Sequence, residues 1–254
     1  MIRLEHVSIE VEGRKILDDV SFEVKDGETK VILGPSGAGK SSLLKIILGL
    51  WKPDSGSVFV DGTEITHLTE REKMPIRRRM SMVFQGNALF DSMSVAENVA
   101  FFLEEHSEMP ADQIRERVED CLEFVNLPET EDLLPEEISG GMKKRVAIAR
   151  AIAFNPEVIL YDEPTTGLDP LNAKLITELI IRLKRKRSVT SVVVTHILRD
   201  AFAVGDSLTL MNEGRVVSDG SADDLLGSAD PFVQSFLSEI REEASLLSPH
   251  KEGS

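Results

Sequence analysis

The 254-residue sequence predicts an α/β fold with antiparallel strands near its N-terminus and an α-helical block inserted midway. Three observations carry this. Short apolar runs alternate with helical patterns, the rhythm of a parallel sheet covered by helices. Leu4, Val7, Ile9 and Val11, then Val20, Phe22 and Val24, lie close to period two around the turn signal Gly13-Arg14-Lys15. Strands so closely joined pair antiparallel. From Gly86 to about Ala153 the pattern is helical, with Ile114, Val118, Cys121, Leu122 and Val125 at helical spacing.

The elements follow in order. Asp26-Gly27 ends the second strand. Lys30-Val31-Ile32-Leu33 is a buried strand, and a helix runs from Ser42 and stops near Pro53. Between them lies Gly34-Pro35-Ser36-Gly37-Ala38-Gly39-Lys40-Ser41, which fits G-x-x-x-x-G-K-[ST] in the strand–loop–helix setting that motif requires. Its glycines let the backbone wrap a phosphate with no Cβ in the way. Successive N–H groups and the helix N-terminus then face the anion. Lys40 suits the β- and γ-phosphates, and the Ser41 hydroxyl suits Mg²⁺. A plain glycine-rich turn would not place Lys and Ser in that register.

Asp54-Ser55-Gly56 turns into a strand from Ser57 to Val60, and Met80 to Phe84 forms another. Ser94-Val95-Ala96-Glu97 has capping-box form. Ser139-Gly140-Gly141 opens a helix carrying Val146, Ala149, Ile152 and Ala153. Then come a strand at Val158–Tyr161, a helix from Pro170 to about Lys186, a strand at Val192–Thr195 and a short helix from Leu198 to Val204. Ser207–Met211 and Arg215–Val217 form a hairpin around Glu213-Gly214. Pro231 opens a last helix with Val233, Phe236, Leu237, Ile240 and Ala244 on one face, and the end from Ser248 frays. The expected organisation is one domain: a core from 1–85 and 154–230, a helical subdomain 86–153, and a C-terminal helix and tail 231–254.

Composition narrows the function. Apolar residues at 41% and charged residues at 29% match a soluble globular protein. A net charge of −15 opposes binding to duplex nucleic acid, which needs cationic surface. Cys121 is the one cysteine, so no intrachain disulfide forms, and its place on a helix face makes it a core residue. No run approaches the length of a membrane span, and Met1 to Glu10 lacks a signal-peptide apolar region, so the expected location is cytosolic or peripheral. The run Arg182, Lys184, Arg185, Lys186, Arg187 closes a helix, where cations favour the dipole, and reads as a solvated end. A lipid-headgroup or protein contact is the alternative there.

Val158-Ile159-Leu160-Tyr161-Asp162-Glu163 carries the second chemical signal. An apolar strand ending in two acids puts carboxylates at the edge where α/β sheets bind ligands. Asp162 suits Mg²⁺ held through water, and Glu163 suits a general base that polarises water.

Ile138-Ser139-Gly140-Gly141-Met142 resembles the L-S-G-G-Q signature of ABC ATPases. Gln85 resembles their Q-loop glutamine, Gly167-Leu168-Asp169 their D-loop, and His196 their switch histidine. The resemblance runs from about Ile2 to Ile240. It implies a P-loop NTPase (RecA-like) core that binds ATP and Mg²⁺, with Ser41, Gln85 and Asp162 on the metal side. Gly34 to Ser42 would hold the phosphates of one ATP. Ser139, Gly140 and Gly141 of a second copy, with Asp169, would close on it, so that two subunits pair head-to-tail about ATP. Glu163, His196 and Gln85 would carry the hydrolysis. Two residues depart from the family: Met142 replaces the signature Gln, and Val11 stands where many relatives stack an aromatic on adenine.

Arg79-Met80-Ser81-Met82-Val83-Phe84-Gln85, Ala88 to Val95, Gly140 to Ala147 and the segment from Gly220 resemble the ATPase of Mla/Mce-type phospholipid transporters. That implies an integral-membrane permease subunit, an Mce-type lipid-binding partner and a peripheral place on the cytoplasmic face of the inner membrane. An ABC importer ATPase for another substrate, such as a polar amino acid, is the alternative. A soluble ABC ATPase of DNA repair or translation would carry a coiled-coil insertion or two ATPase halves, and neither is present.

Overall fold

The computed structural model describes residues 1–238. Its strands are β1 (Ile2–Val11), β2 (Arg14–Val24), β3 (Thr29–Leu33), β4 (Ser55–Val60), β5 (Thr63–Glu64), β6 (Met80–Val83), β7 (Val158–Asp162), β8 (Thr190–Thr195), β9 (Ser207–Asn212) and β10 (Arg215–Gly220). Its helices are α1 (Lys40–Ile47), α2 (Glu70–Arg77), α3 (Val95–His106), α4 (Ala111–Phe124), α5 (Gly140–Ala153), α6 (Pro170–Arg187), α7 (Leu198–Val204), α8 (Ala222–Leu226) and α9 over 231–238. A 3₁₀ turn, Pro135–Glu137, precedes α5.

Two sheets form. The larger runs β10-β9-β3-β8-β7-β6, parallel except for the β9–β10 hairpin. The smaller is antiparallel, β2-β1-β4-β5. Alternating side chains of the parallel strands enter two separate cores. Ile32, Leu160, Val192 and Val194 meet α1 and the smaller sheet. Val31, Leu33, Ile159, Tyr161 and Val193 meet α3 to α7 and α9. These strands are buried on both faces, which is why they read as apolar runs rather than as alternation.

Helix α1 lies between the sheets. Leu43, Leu44, Ile46 and Ile47 are each at most 1% exposed, and each contributes about 1.5–3 kcal/mol. Its N-cap is Gly39, which offers no side-chain hydrogen bond. Glycine in place of a capping side chain costs only about 0.3 kcal/mol, far less than one of those leucines returns. The helix forms by packing, and its first-turn N–H groups remain free of a capping side chain.

Helix α2 was not expected, because it is polar and contains Pro75. The readable signal was its capping box, Thr69 with Glu72. Lys73 and Arg77 donate to Leu48 O and Gly49 O, satisfying carbonyls at the end of α1. The short β5 and α8 were also unanticipated. Val233, Phe236 and Leu237 of α9 are buried as expected, whereas Ile240 and Ala244 lie outside the described residues.

The basic end of α6 is packed rather than merely solvated. Arg182 lies 4.3 Å, Arg187 5.4 Å and Lys186 6.0 Å from the Phe124 ring at the end of α4. Arg187 also donates to Ile152 O and Asn155 Oδ1 beyond α5, and Lys184 pairs with Asp206. The run ties the parallel sheet to the helical block, which a single charge pattern does not disclose.

Residues 84–94 have no regular structure, and Asn98 of α3 supplies their missing partners. It is 0% exposed, accepts from Phe90 N at 2.8 Å, and donates towards Phe90 O, Met93 O and Ser94 O at 3.0–3.1 Å. Asn98→Ala should therefore destabilise by about 2–4 kcal/mol, since buried groups left unpaired cost about 1–3 kcal/mol each. A thermal melt shifted by less than about 2 °C would contradict this.

Candidate active site

The strand order β3-β8-β7-β6 sets the C-terminal ends of four parallel strands side by side. The loop after β3 holds Gly34 to Gly39, β7 ends in Asp162 and Glu163, His196 follows β8, and Gln85 follows β6. Four separate stretches of chain thus meet at one sheet edge, where such folds bind ligands.

The loop geometry depends on its glycines. Gly39 has φ +95°, and a Cβ there would stand 2.7 Å from Ile16 O, so no other residue fits without moving β2. Lys40, 6% exposed, donates to Gly34 O at 2.8 Å and Pro35 O at 3.1 Å, bracing the loop. Its ammonium is 3.6 Å from Glu163 Oε1. Burial lowers the Lys40 pKa, and the carboxylates of Glu163 and Asp162 oppose that shift.

Ser41 donates its hydroxyl to Asp162 Oδ1 at 2.8 Å. Burial raises the Asp162 pKa, while the Ser41 hydrogen bond and the charge of Lys40 act against it. A serine oxygen beside a carboxylate oxygen, both at the mouth of the loop, is the hard oxygen pair that Mg²⁺ prefers.

Glu163 is held from several sides. Its backbone has φ +47°, and its N–H donates to Val194 O at 3.0 Å. The Thr166 hydroxyl donates to Oε2 at 2.9 Å, and His196 Nδ1 lies 3.0–3.1 Å from both carboxylate oxygens. The carboxylate is 10% exposed and the imidazole 45% exposed. Lys40, Glu163 and His196 therefore form one contact chain, and the Ser41–Asp162 pair adjoins it through the peptide bonds Lys40–Ser41 and Asp162–Glu163. Thr166 was not singled out from the sequence, where a threonine after an acidic pair has no distinguishing mark.

A second cluster lies at the start of α5. Ser139 caps that helix by accepting from Met142 N at 3.3 Å. Asp169 caps α6, accepting from Leu171 N at 3.0 Å and Asn172 N at 3.1 Å. Asn172 donates to Asp169 Oδ2 at 2.6 Å and fills the space above Gly141, where a Cβ would collide with its amide. A side chain at 141 would have to displace the Asn172 amide from Asp169, and Asn172 is a residue the sequence reading missed. Among the described residues no hydrogen bond or ion pair joins this cluster to the first. Gln85 and Gly140 are exposed, and Val11 is 37% exposed.

A family model described as ABC transporter matches residues 17–166. The chain belongs to the ABC transporter family. Over 237 residues it is 40% identical to the intermembrane phospholipid transport system ATP-binding protein MlaF of Haemophilus influenzae, spanning 93% of this chain and 90% of that protein. Over 244 residues it is 43% identical to the methionine import ATP-binding protein MetN of Carboxydothermus hydrogenoformans, spanning 94% of this chain and 72% of that one. A dimeric post-hydrolysis structure of the ATP-binding cassette MJ0796, bound to ADP and Pi, superposes with a TM-score of 0.80 at 35% identity, covering 87% of this chain and 98% of that one. The chain is accordingly an ATP-binding and ATP-hydrolysing subunit of an ABC transporter. Among the described residues no helix of this ABC ATPase is long and apolar enough to cross a membrane.

Proposed function

We propose that this ABC ATPase powers phospholipid or other lipid transport between membranes. The observation that supports the lipid reading is likeness to MlaF over nine-tenths of that protein. In this reading two copies pair head-to-tail on the cytoplasmic face of the inner membrane. They bind an integral-membrane permease and, through it, an Mce-type lipid-binding protein. An importer of another substrate is the second reading, favoured by the 43% identity to MetN. Co-purification of the tagged chain from native membranes separates them. A permease with an Mce-domain protein and bound phospholipid is expected, and a permease with an amino-acid-binding protein would overturn the lipid assignment.

The chemistry rests on the contact chain from Lys40 to His196. Lys40 and the N–H groups from Gly34 to Ser42 bind the phosphates. Ser41 and Asp162, with Gln85, would hold Mg²⁺, which when bound would supply positive charge against the phosphate oxygens. Glu163 accepts the proton of the attacking water. Thr166 and His196 keep that carboxylate oriented, and His196 reaches the γ-phosphate. Ser139, Gly140 and Gly141 at the start of α5 approach the same γ-phosphate from the second subunit, with Asp169 beside them. Segment 86–153 acts as the helical subdomain that carries this signature.

Beside Gln85 lies a groove of about 450 Å³ walled by Leu48, Leu50, Phe84, Phe90, Phe102 and Arg77. A short cytoplasmic helix of the permease is expected to dock there. Cysteines at Asn87 or Leu89 should cross-link to the permease in the assembled complex. No cross-link from either site, with control cysteines reacting, would remove the groove from the interface.

A further inference from the structure

Helix α5 carries Ser139 at its N-terminus and, along its length, three cations whose side chains donate to backbone carbonyls. Arg145 donates to Asn126 O at 2.9 Å and so fastens the helix to the end of α4. The other two reach the opposite way. Lys144, 2% exposed, donates to Phe84 O at 3.1 Å and Gln85 O at 2.8 Å. Arg150 donates to Asn87 O at 3.0 Å and Ala88 O at 2.7 Å. Four carbonyls of the segment from Phe84 to Ala88 are therefore held by side chains of one helix.

Beyond two turn hydrogen bonds of its own, Asn87 N to Phe84 O at 3.1 Å and Ala88 N to Gly86 O at 2.8 Å, the segment has no regular structure to fix it. It leaves β6 without a sheet partner for its carbonyls, and it bends through Asn87 at φ +64° and Ala88 at φ +51°. A non-glycine residue in that region persists only where its surroundings impose it. The buried donors on α5 supply the imposition. Lys144 stands five residues after Ser139, about 7.5 Å along the helix, so the contact is rigid with respect to the signature. Burying an ammonium is costly unless its donors are used, and two of the three are used here on backbone oxygen. Among the described residues Lys144 makes no hydrogen bond or ion pair with the contact chain from Lys40 to His196, though the charge of Asp162 acts on its ammonium.

We propose that Lys144 is a positioning residue that ties the main chain of Gln85 to the signature helix of the same subunit, so that the two move as one body when the ATP site closes. The tie rests on the roles given above to Gln85 and Ser139. It makes closure of the signature on one ATP and placement of Gln85 at the other a single event. Nucleotide binding at the phosphate loop does not need it, because that loop hangs on β3 and α1.

The test compares Lys144→Met, which keeps the apolar stem and removes the donors, with Lys144→Gln, whose shorter amide reaches one carbonyl instead of two. Steady-state ATPase rates are measured on the assembled transporter, with folding checked by thermal melt. Lys144→Met should lower kcat at least tenfold with KM for ATP within twofold of the parent, and Lys144→Gln should fall between the two. A kcat for Lys144→Met within threefold of the parent, a parallel loss of ATP affinity, or a Lys144→Gln as slow as Lys144→Met would overturn the proposal. If Lys144→Met does not fold, Lys144→Gln decides: kcat lowered at least threefold at unchanged KM supports the tie, and any other result removes it. Failure of the underlying reading is separable, since it would appear as unchanged kcat in Gln85→Ala and Ser139→Arg whatever Lys144 does.

Discussion

Lys40→Ala is expected to lower kcat by about 10²–10³-fold, the scale of losing one preorganised donor to developing charge, and to weaken ATP binding as well. The geometry makes this lysine doubly costly to lose. Its ammonium braces Gly34 O and Pro35 O from inside the loop, so removing it loosens the cradle itself. It also stands 3.6 Å from Glu163 and is the cation that faces both Glu163 and Asp162. Without it the two buried carboxylates repel an incoming polyphosphate. Fluorescence titration with ATP and a coupled ATPase assay check both effects. Retention of more than about half the parent activity would sink the phosphate-loop assignment.

The loop and the acidic strand were legible because each couples a strict residue pattern to a strand end, whereas His196 was singled out by the family resemblance alone. Lys40 in register after Gly39, or two acids after Val158 to Tyr161, leaves few alternatives. The apolar strands were legible as buried, and the two-core arrangement follows from their alternation. Other features were hidden for physical reasons. Helix α2 has no apolar periodicity, since its work is to cap α1 through Lys73 and Arg77. The cations of α6 read as a solvated end because a charge pattern carries no record of Phe124, more than fifty positions upstream in sequence. Lys144 sits in Lys143-Lys144-Arg145, three cations that look alike until the helix phase sends one of them beneath residues 84 and 85. Asn172 is one polar residue among many in a helix start. Its amide occupies the space above Gly141 while it bonds Asp169, a contact between two helix starts that sequence spacing does not reveal.

Glu163→Gln is expected to keep ATP and Mg²⁺ binding while turnover falls by roughly 10²–10⁴-fold. The substitution preserves shape. The backbone at φ +47° and the hydrogen bond to Val194 O are untouched, and the amide oxygen can still accept from Thr166 and His196. What the amide lacks is a site for the proton of the attacking water. ATP should then persist between the phosphate loop of one subunit and Ser139 to Gly141 of the other. The mutant should be dimeric with ATP and monomeric with ADP, which lacks the γ-phosphate that the start of α5 is proposed to approach. Ser139→Arg in the same background places bulk at that helix start and should abolish the dimer while the phosphate loop still binds nucleotide. Light scattering with ATP, ADP and no nucleotide decides the matter. A dimer equally populated in all three conditions would show that another surface holds the subunits together. The start of α5 would then have no γ-phosphate to read, and the head-to-tail arrangement would fall with it.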